Sequence, residues 1–225
     1  VVSPSAREPE AVRIADRLRD EILDGARAPG GKLVERDLAG ELGVSRVPVR
    51  DALKMLEAEG LVTLRPNTWA VVREFTPSDI ADLHEVREGF EALSFRLAAQ
   101  RHSREGLERL HDALDREQAA AAAGDAVAAR RAAADFHETI TELAGNRLLS
   151  EVELVFRSRM RWLLGQHDDT QQMARRHAAL FDAIAHRDTD RVARLAAEHL
   201  GESRTAQAER GSSGGSVWED DGAPD

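Results

Sequence analysis

Arg46, Arg50 and Lys54 recur at i, i+4 and i+8, a spacing that lines three cations along one flank of a helix. The guanidinium fork of arginine matches O6 and N7 of guanine, so such a row suits a DNA major groove and its phosphates. A bland alternative exists for Arg50, which has Asp51 and Glu57 nearby in sequence as carboxylate partners. The other chemically able side chains are scattered. The chain has eight histidines and no cysteine, which excludes disulfides and thiolate metal sites. Imidazole is a common ligand of zinc and nickel, but a site inside a helical bundle needs ligands from separate helices meeting at one point. Taken singly, a histidine is by default a surface or satisfied core residue. Arg87 and Glu91, at i and i+4, are a third pair. On a helix surface such an ion pair contributes roughly a few tenths of a kcal/mol.

The cation row needs a helix, and the sequence supplies one with a partner. Leu38, Ala39 and Leu42 mark the apolar face of a short helix, Gly43-Val44 makes a corner, and Val49, Ala52, Leu53 and Leu56 form the buried stripe of a second helix. Ser45 stands at the N-cap of that second helix, where its hydroxyl can accept from free backbone N–H groups. Pro48 falls in the first turn, where a missing N–H costs little. A glycine corner between two helices, the second capped and basic on its outer side, predicts a DNA-binding helix-turn-helix. A helix over Glu10 to Asp24 precedes it, with a loop over Gly25 to Gly31 between them. Two short strands, Leu61 to Leu64 and Trp69 to Val72, flank a turn at Arg65 to Thr68 and add a wing.

From Thr76 onward the patterning is helical throughout. Ile80, Leu83, Val86, Phe90, Leu93 and Leu97 form the expected apolar face of the first of these helices. Further helices open at Ser103, at Gly124-Asp125, near Leu148, at Gln171 and at Thr189, each break carrying Gly, Asp, Ser or Thr. The expected fold is therefore mostly α, a winged helix-turn-helix over 10–74 and an all-helical bundle over 75–209. Residues 1–9 and the acidic stretch 210–225 read as disordered tails.

The net charge of −10 sits oddly with DNA binding until it is divided. Residues 10–74 hold 11 Lys+Arg against 12 Asp+Glu, whereas 75–225 hold 19 against 28. The acidity belongs to the second half, and placement of the arginines matters more than the total. No apolar run approaches the roughly 20 residues that span a bilayer, and no signal-peptide pattern opens the chain. A cytoplasmic protein with no membrane partner is expected.

The run LAGELGVSRVPVRDALKMLEAEGLV resembles the DNA-binding segment of the GntR family of bacterial transcriptional regulators. The likeness covers Val12 to Val72, including Pro29-Gly-Gly-Lys-Leu, and GVSRVPVRDAL followed by LEAEGLV is its most restrictive part. It implies a homodimer on a palindromic operator in double-stranded DNA. Arg46 and Arg50 are then the expected base-reading residues, with Ser45 and Arg36 as further DNA contacts and Asn67 and Thr68 reaching from the wing. Trp69 stands where, or beside where, the family commonly has a glycine, which alters the wing tip.

The second half resembles the FCD effector domain of the fatty-acid-regulator-like branch of that family. The likeness is carried by Val86-Arg87 with Glu91, Asp135-Phe-His-Glu-Thr-Ile140 leading into Ala144-Gly-Asn146, Arg176-His-Ala-Ala-Leu180, and Glu198-His-Leu200. It places His137, His177 and His199 on the family's metal-ligand positions, for zinc or nickel, beneath a small carboxylate effector. The family usually adds an aspartate four residues before the first histidine, and here that position is Ala133. Asp135 lies about 200° around the helix from His137 and cannot replace it. The likeness also makes Arg87 an inward-facing partner for an effector carboxylate, and Asn146 either an effector contact or a helix cap. Two other functions fit the same residues: a zinc hydrolase-like helical domain, or a constitutive DNA-binding protein whose pocket has degenerated.

Overall fold

The structure, a computed structural model, describes residues 9–66 and 69–213, with side chains through Gly201. Asn67 and Thr68, most of the N-terminal tail and residues 214–225 lie outside the described residues. Among those described, the order is α1 (Glu10–Leu23), β1 (Lys32–Val34), α2 (Glu35–Leu42), α3 (Arg46–Ala58), β2 (Val62–Arg65), β3 (Trp69–Val72), α4 (Pro77–Arg101), α5 (Arg104–Ala123), α6 (Ala126–Leu143), α7 (Arg147–Leu164), α8 (Thr170–Ala185) and α9 (Thr189–Ser213). No helix among the described residues is long and apolar enough to cross a membrane. The chain divides into two units. One takes the residues up to Thr76 together with Glu151–Gly165, and the other takes Pro77–Ser150 and the residues from Gln166 on.

In the first unit, Ile14, Leu18 and Ile22 of α1, Leu38 of α2, and Val49, Leu53 and Leu56 of α3 close over one core. Each such side chain contributes about 1.5–3 kcal/mol by leaving water. α2 ends at Gly43 with φ 66°, a left-handed turn that an L side chain would strain, and this sets the corner to α3. The sheet has three strands in the order β1-β3-β2, all antiparallel, with Leu33 opposite Ala70 and Leu64 opposite Ala70 on the other side. The sequence reading had only the hairpin. β1 is three residues long and gains its hydrogen bonds from a strand far along the chain, so no local alternation announces it.

Within the stretch expected as one helical block, Glu151–Gly165 groups with the N-terminal unit. Two polar contacts and one stack explain that. Ser158 donates to Glu59 Oε2 at 2.6 Å, Arg159 Nε donates to the Glu59 carbonyl at 3.1 Å, and Trp162 stacks on Phe75 at 4.0 Å between centroids. Arg19 grips the same Glu59 carboxylate with Nε and Nη2.

The second unit is an antiparallel helical bundle whose breaks are capped as their residue types require. Ser103 accepts from Gly106 N–H, Asp125 from Ala128 N–H, and Asp169 from Gln172 N–H. Phe95, Leu110, Leu114, Phe136, Ile140, Leu180 and Ile184 form its main core. α4 departs from expectation. Leu97 of the expected face is buried, with Phe95 and Ala98, but so are His84, Arg87, Glu91 and Ser94, while Val86 is 52% exposed and Phe90 and Leu93 are only partly covered. A polar stripe shares the interior with the apolar one, because that interior holds a polar site.

Candidate functional site

Two constellations of polar side chains stand out, one in each unit. In the first, α3 presents Arg46 and Arg50 on its outer side, each with about half of its side chain exposed at 49% and 46%. Neither pairs with Asp51 or Glu57. Arg50 donates from Nε to Glu35 Oε1 and from Nη2 to Glu35 Oε2, both at 2.8 Å, and Arg46 Nη2 donates to the same Oε2 at 3.3 Å. The Arg50 guanidinium holds the Glu35 carboxyl below the usual carboxylate range, and Glu35 raises Arg50 in return. Lys54 is 3.1 Å from Asp51, and Arg36 touches only the rim carboxylate of Asp37 while 83% of its side chain is exposed. Ser45 occupies the N-cap of α3 in extended conformation, but its hydroxyl makes no capping hydrogen bond, contrary to the expectation from its position. The hydroxyl is left for another partner. Trp69 packs beside β1, with the Lys32 ammonium 5.0 Å from its ring centroid.

In the second unit, α6, α8 and α9 each send one histidine inward. His137, His177 and His199 are all buried, and one nitrogen of each lies within 4.8 Å of the others. Among the described residues this is the one group of three or more His or carboxylate side chains that could close on a metal ion. Phe136 stacks on His177 at 4.7 Å and Phe95 packs against His137, so the ring positions are set by aromatic core.

Carboxylates stand behind two of the three rings. Glu117 of α5, fully buried, accepts from His177 Nδ1 with Oε2 at 2.7 Å and Oε1 at 2.9 Å. Glu91 Oε1 lies 2.9 Å from His137 Nδ1. The Nε2 atoms of His137 and His177 lie 3.1 Å apart, a separation that a proton on one of them or a cation between them would hold. Burial pushes His177 down despite Glu117, and burial followed by Arg87 pushes His199 well down, so these rings are neutral near pH 7. Neutral, inward-pointing imidazoles are the donor set that zinc and nickel require, so the residues fit a divalent ion.

Arg87 completes the cluster and is fully buried. Its Nη2 donates to His199 Nε2 at 2.9 Å and its Nε lies 3.0 Å from Glu91. The pair is therefore an interior one and not the helix-surface ion pair. Burial alone would raise Glu91, but Arg87 and His137 beside it hold the carboxyl down to about 2. Ala133 is buried and brings no ligand, and Asp135 turns away to Arg116 at 2.9 Å. Asn146 Oδ1 accepts from Leu148 and Leu149 N–H at the start of α7. Of the two roles expected for Asn146, the hydrogen bonds support the cap, which commits its oxygen away from the histidines. A 220 Å³ cavity opens beside His199, lined by Gln172, Arg175, Arg176, Ala179, Leu195 and Glu198.

Sequence reasoning missed Glu35 and Glu117, although a signal for each was present. Both continue an apolar stripe, Glu35 that of Leu38 and Leu42, Glu117 that of Leu110, Leu114 and Ala121. An acid on the buried face of a helix must have a partner.

Comparison with known proteins assigns both halves of the chain. Residues 10–72 match the profile described as bacterial regulatory proteins, gntR family, and residues 82–202 match that of the FCD domain. A helix-turn-helix transcriptional regulator of Mycobacterium tuberculosis, Rv0494, is 35% identical over 191 residues, which is 75% of this chain and 77% of that protein. The chain belongs to the GntR family of bacterial transcriptional regulators. This regulator is also 28% identical over 227 residues to the transcriptional repressor NanR of Cronobacter sakazakii, covering 88% of this chain and 85% of the repressor. Among solved structures, Escherichia coli McbR/YncC shares the fold with a TM-score of 0.79 at 20% identity, over 91% of this chain and 99% of that one. A GntR regulator from Rhodococcus sp. RHA1 matches with a TM-score of 0.76 at 27% identity, over 87% and 96%. The relatives are regulators of transcription and not enzymes.

Proposed function

We propose that this regulator acts in the cytoplasm as a homodimer on a palindromic operator, and that a small carboxylate effector in a metal-containing pocket of the helical unit modulates its affinity for DNA. The observation that carries the proposal is the convergence of three buried imidazoles from three helices beside a buried arginine. On the DNA side, Arg46 and Arg50 are the base-reading residues. Arg36 and the uncommitted Ser45 hydroxyl serve as backbone contacts, and Asn67 and Thr68 as wing contacts. His137, His177 and His199 hold the ion. A zinc or nickel ion there would supply a doubly positive anchor for a carboxylate. Arg87 adds a charge-assisted hydrogen-bond donor for the same group, Glu117 keeps His177 in the ligating tautomer, and Glu91 sits beside His137. With Ala133 in place of an acid, the pocket is short of one negative charge, which suits an anionic effector.

Two observations support pairing of subunits. One winged helix contacts too few base pairs for useful selectivity, and the outer face of α4 leaves Val86 exposed and Ile80 and Leu83 half-buried. The test is selection from a randomised duplex library. Wild type should enrich a two-fold-symmetric sequence, and Arg46→Ala and Arg50→Ala should each lose about 1–3 kcal/mol of binding to it while binding unrelated DNA almost as before. Enrichment of no sequence, or wild-type selectivity in both variants, contradicts the proposal.

A further inference from the structure

Glu35 opens α2 and is 4% exposed, on the same stripe as Leu38 and Ala39. A carboxylate so placed is costly unless it is matched, and here the hydrogen bonds come from the two recognition-helix arginines. The geometry with Arg50 is specific. A guanidinium carries five N–H donors in a rigid plane. Glu35 takes the side edge of Arg50, the Nε hydrogen and one Nη2 hydrogen, at 2.8 Å each. The end edge, formed by Nη1 and the second Nη2 hydrogen, is left with two parallel donors at the spacing of O6 and N7 of guanine.

We propose that Glu35 is a positioning residue for sequence readout, clamping Arg50 tightly and Arg46 loosely so that their outer N–H edges meet guanine instead of the nearest phosphate. The inference rests on the DNA-reading assignment above. An exposed arginine samples many rotamers and can satisfy itself on any phosphate oxygen, which gives affinity without sequence information. Clamping from the protein side removes that freedom before DNA arrives, so less is lost on binding in the reading pose than in any other. Arg46, held by one longer bond, should read its base less strictly than Arg50.

Charge and position make opposite predictions, which gives the test its force. Glu35 is an anion beside a DNA-facing helix, so by charge alone its removal should tighten binding to every duplex. As a clamp, its removal should weaken binding to the selected duplex and leave or strengthen binding to unrelated DNA. The probe is the duplex that the wild-type chain selects from a randomised library, titrated against an unrelated duplex at fixed salt. Glu35→Gln, with its fold checked by thermal melting, should lose about five- to 150-fold in the ratio of the two affinities, the discrimination that one bidentate contact supplies. Glu35→Asp, whose shorter carboxylate keeps the charge but shortens the clamp, should lose part of the same ratio and supplies the answer should the Gln variant not fold. In an Arg46→Ala, Arg50→Ala background, Glu35→Gln should cause no further loss, whereas a merely structural role would persist there. An unchanged or increased ratio overturns the clamp, and so does an equal loss on both duplexes. Failure of the wild type to select any duplex would instead overturn the DNA-reading assignment itself.

Discussion

Replacing Glu117 with glutamine keeps its shape and removes the charge that orders His177. In the structure both carboxylate oxygens lie within 2.9 Å of His177 Nδ1, and neither side chain reaches solvent. The carboxylate can only accept, so Nδ1 carries the proton and Nε2 is left to ligate. Glutamine can turn its amide NH₂ toward Nδ1, which stabilises the opposite tautomer and aims an N–H at the centre. Loss of such an orienting carboxylate weakens metal binding about 10–100-fold, or about 1.4–2.7 kcal/mol. Competition for zinc or nickel against a chromophoric chelator at fixed pH measures this directly, with thermal melting to confirm the fold. Glu105→Gln, an exposed charge change on the same helix, should leave affinity within about twofold and serves as the control. If Glu117→Gln folds and holds the ion as tightly as wild type, the tautomer argument is wrong.

Three other outcomes are expected. Ala133→Asp should raise metal affinity by adding an anionic ligand one helical turn before His137, and should reduce the gain that an added small carboxylate such as citrate gives, both read by the same competition assay. Folding stability should be full above about pH 6.5 and decline as pH falls from there, because His177 and His199 are depressed in the folded chain and the unfolded chain takes the protons first. Glu91, held down to about 2 from 4.5, should add a further loss between those values, read by chemical denaturation across pH. The full-length chain should sediment as a dimer without DNA at tens of micromolar, on the order of common working concentrations, and Val86→Glu should weaken that dimer.

How much of this was legible follows the range of the interactions. The helix-turn-helix was readable because its signals are local: the glycine corner at Gly43, the proline at Pro48, and the Val49-Leu53-Leu56 stripe. β1 was not, since Leu33 becomes a strand residue only by pairing with Ala70. The grouping of Glu151–Gly165 with the N-terminal unit depends on Glu59 meeting Ser158 and Arg159, a contact that no periodicity foretells. α4 misled for a physical reason. Leu97 of its expected apolar face is buried, but the bundle interior also takes His84, Arg87, Glu91 and Ser94, which leaves Val86 outside. The histidines were placed through family resemblance, and nothing in their own spacing required them to meet. The buried carboxylates of both sites could have been found by asking which acids continue an apolar stripe, as Glu35 and Glu117 do.

Metal content of the purified protein tests the central claim most directly. Wild type and His177→Ala are dialysed against trace zinc or nickel and analysed for bound metal per chain. The arrangement of His137, His177 and His199 predicts close to one ion per wild-type chain and almost none in His177→Ala, with both proteins folded. Equal, near-zero content in the two would contradict it, and would make the buried histidines a polar core in which Ala133 marks a metal site given up.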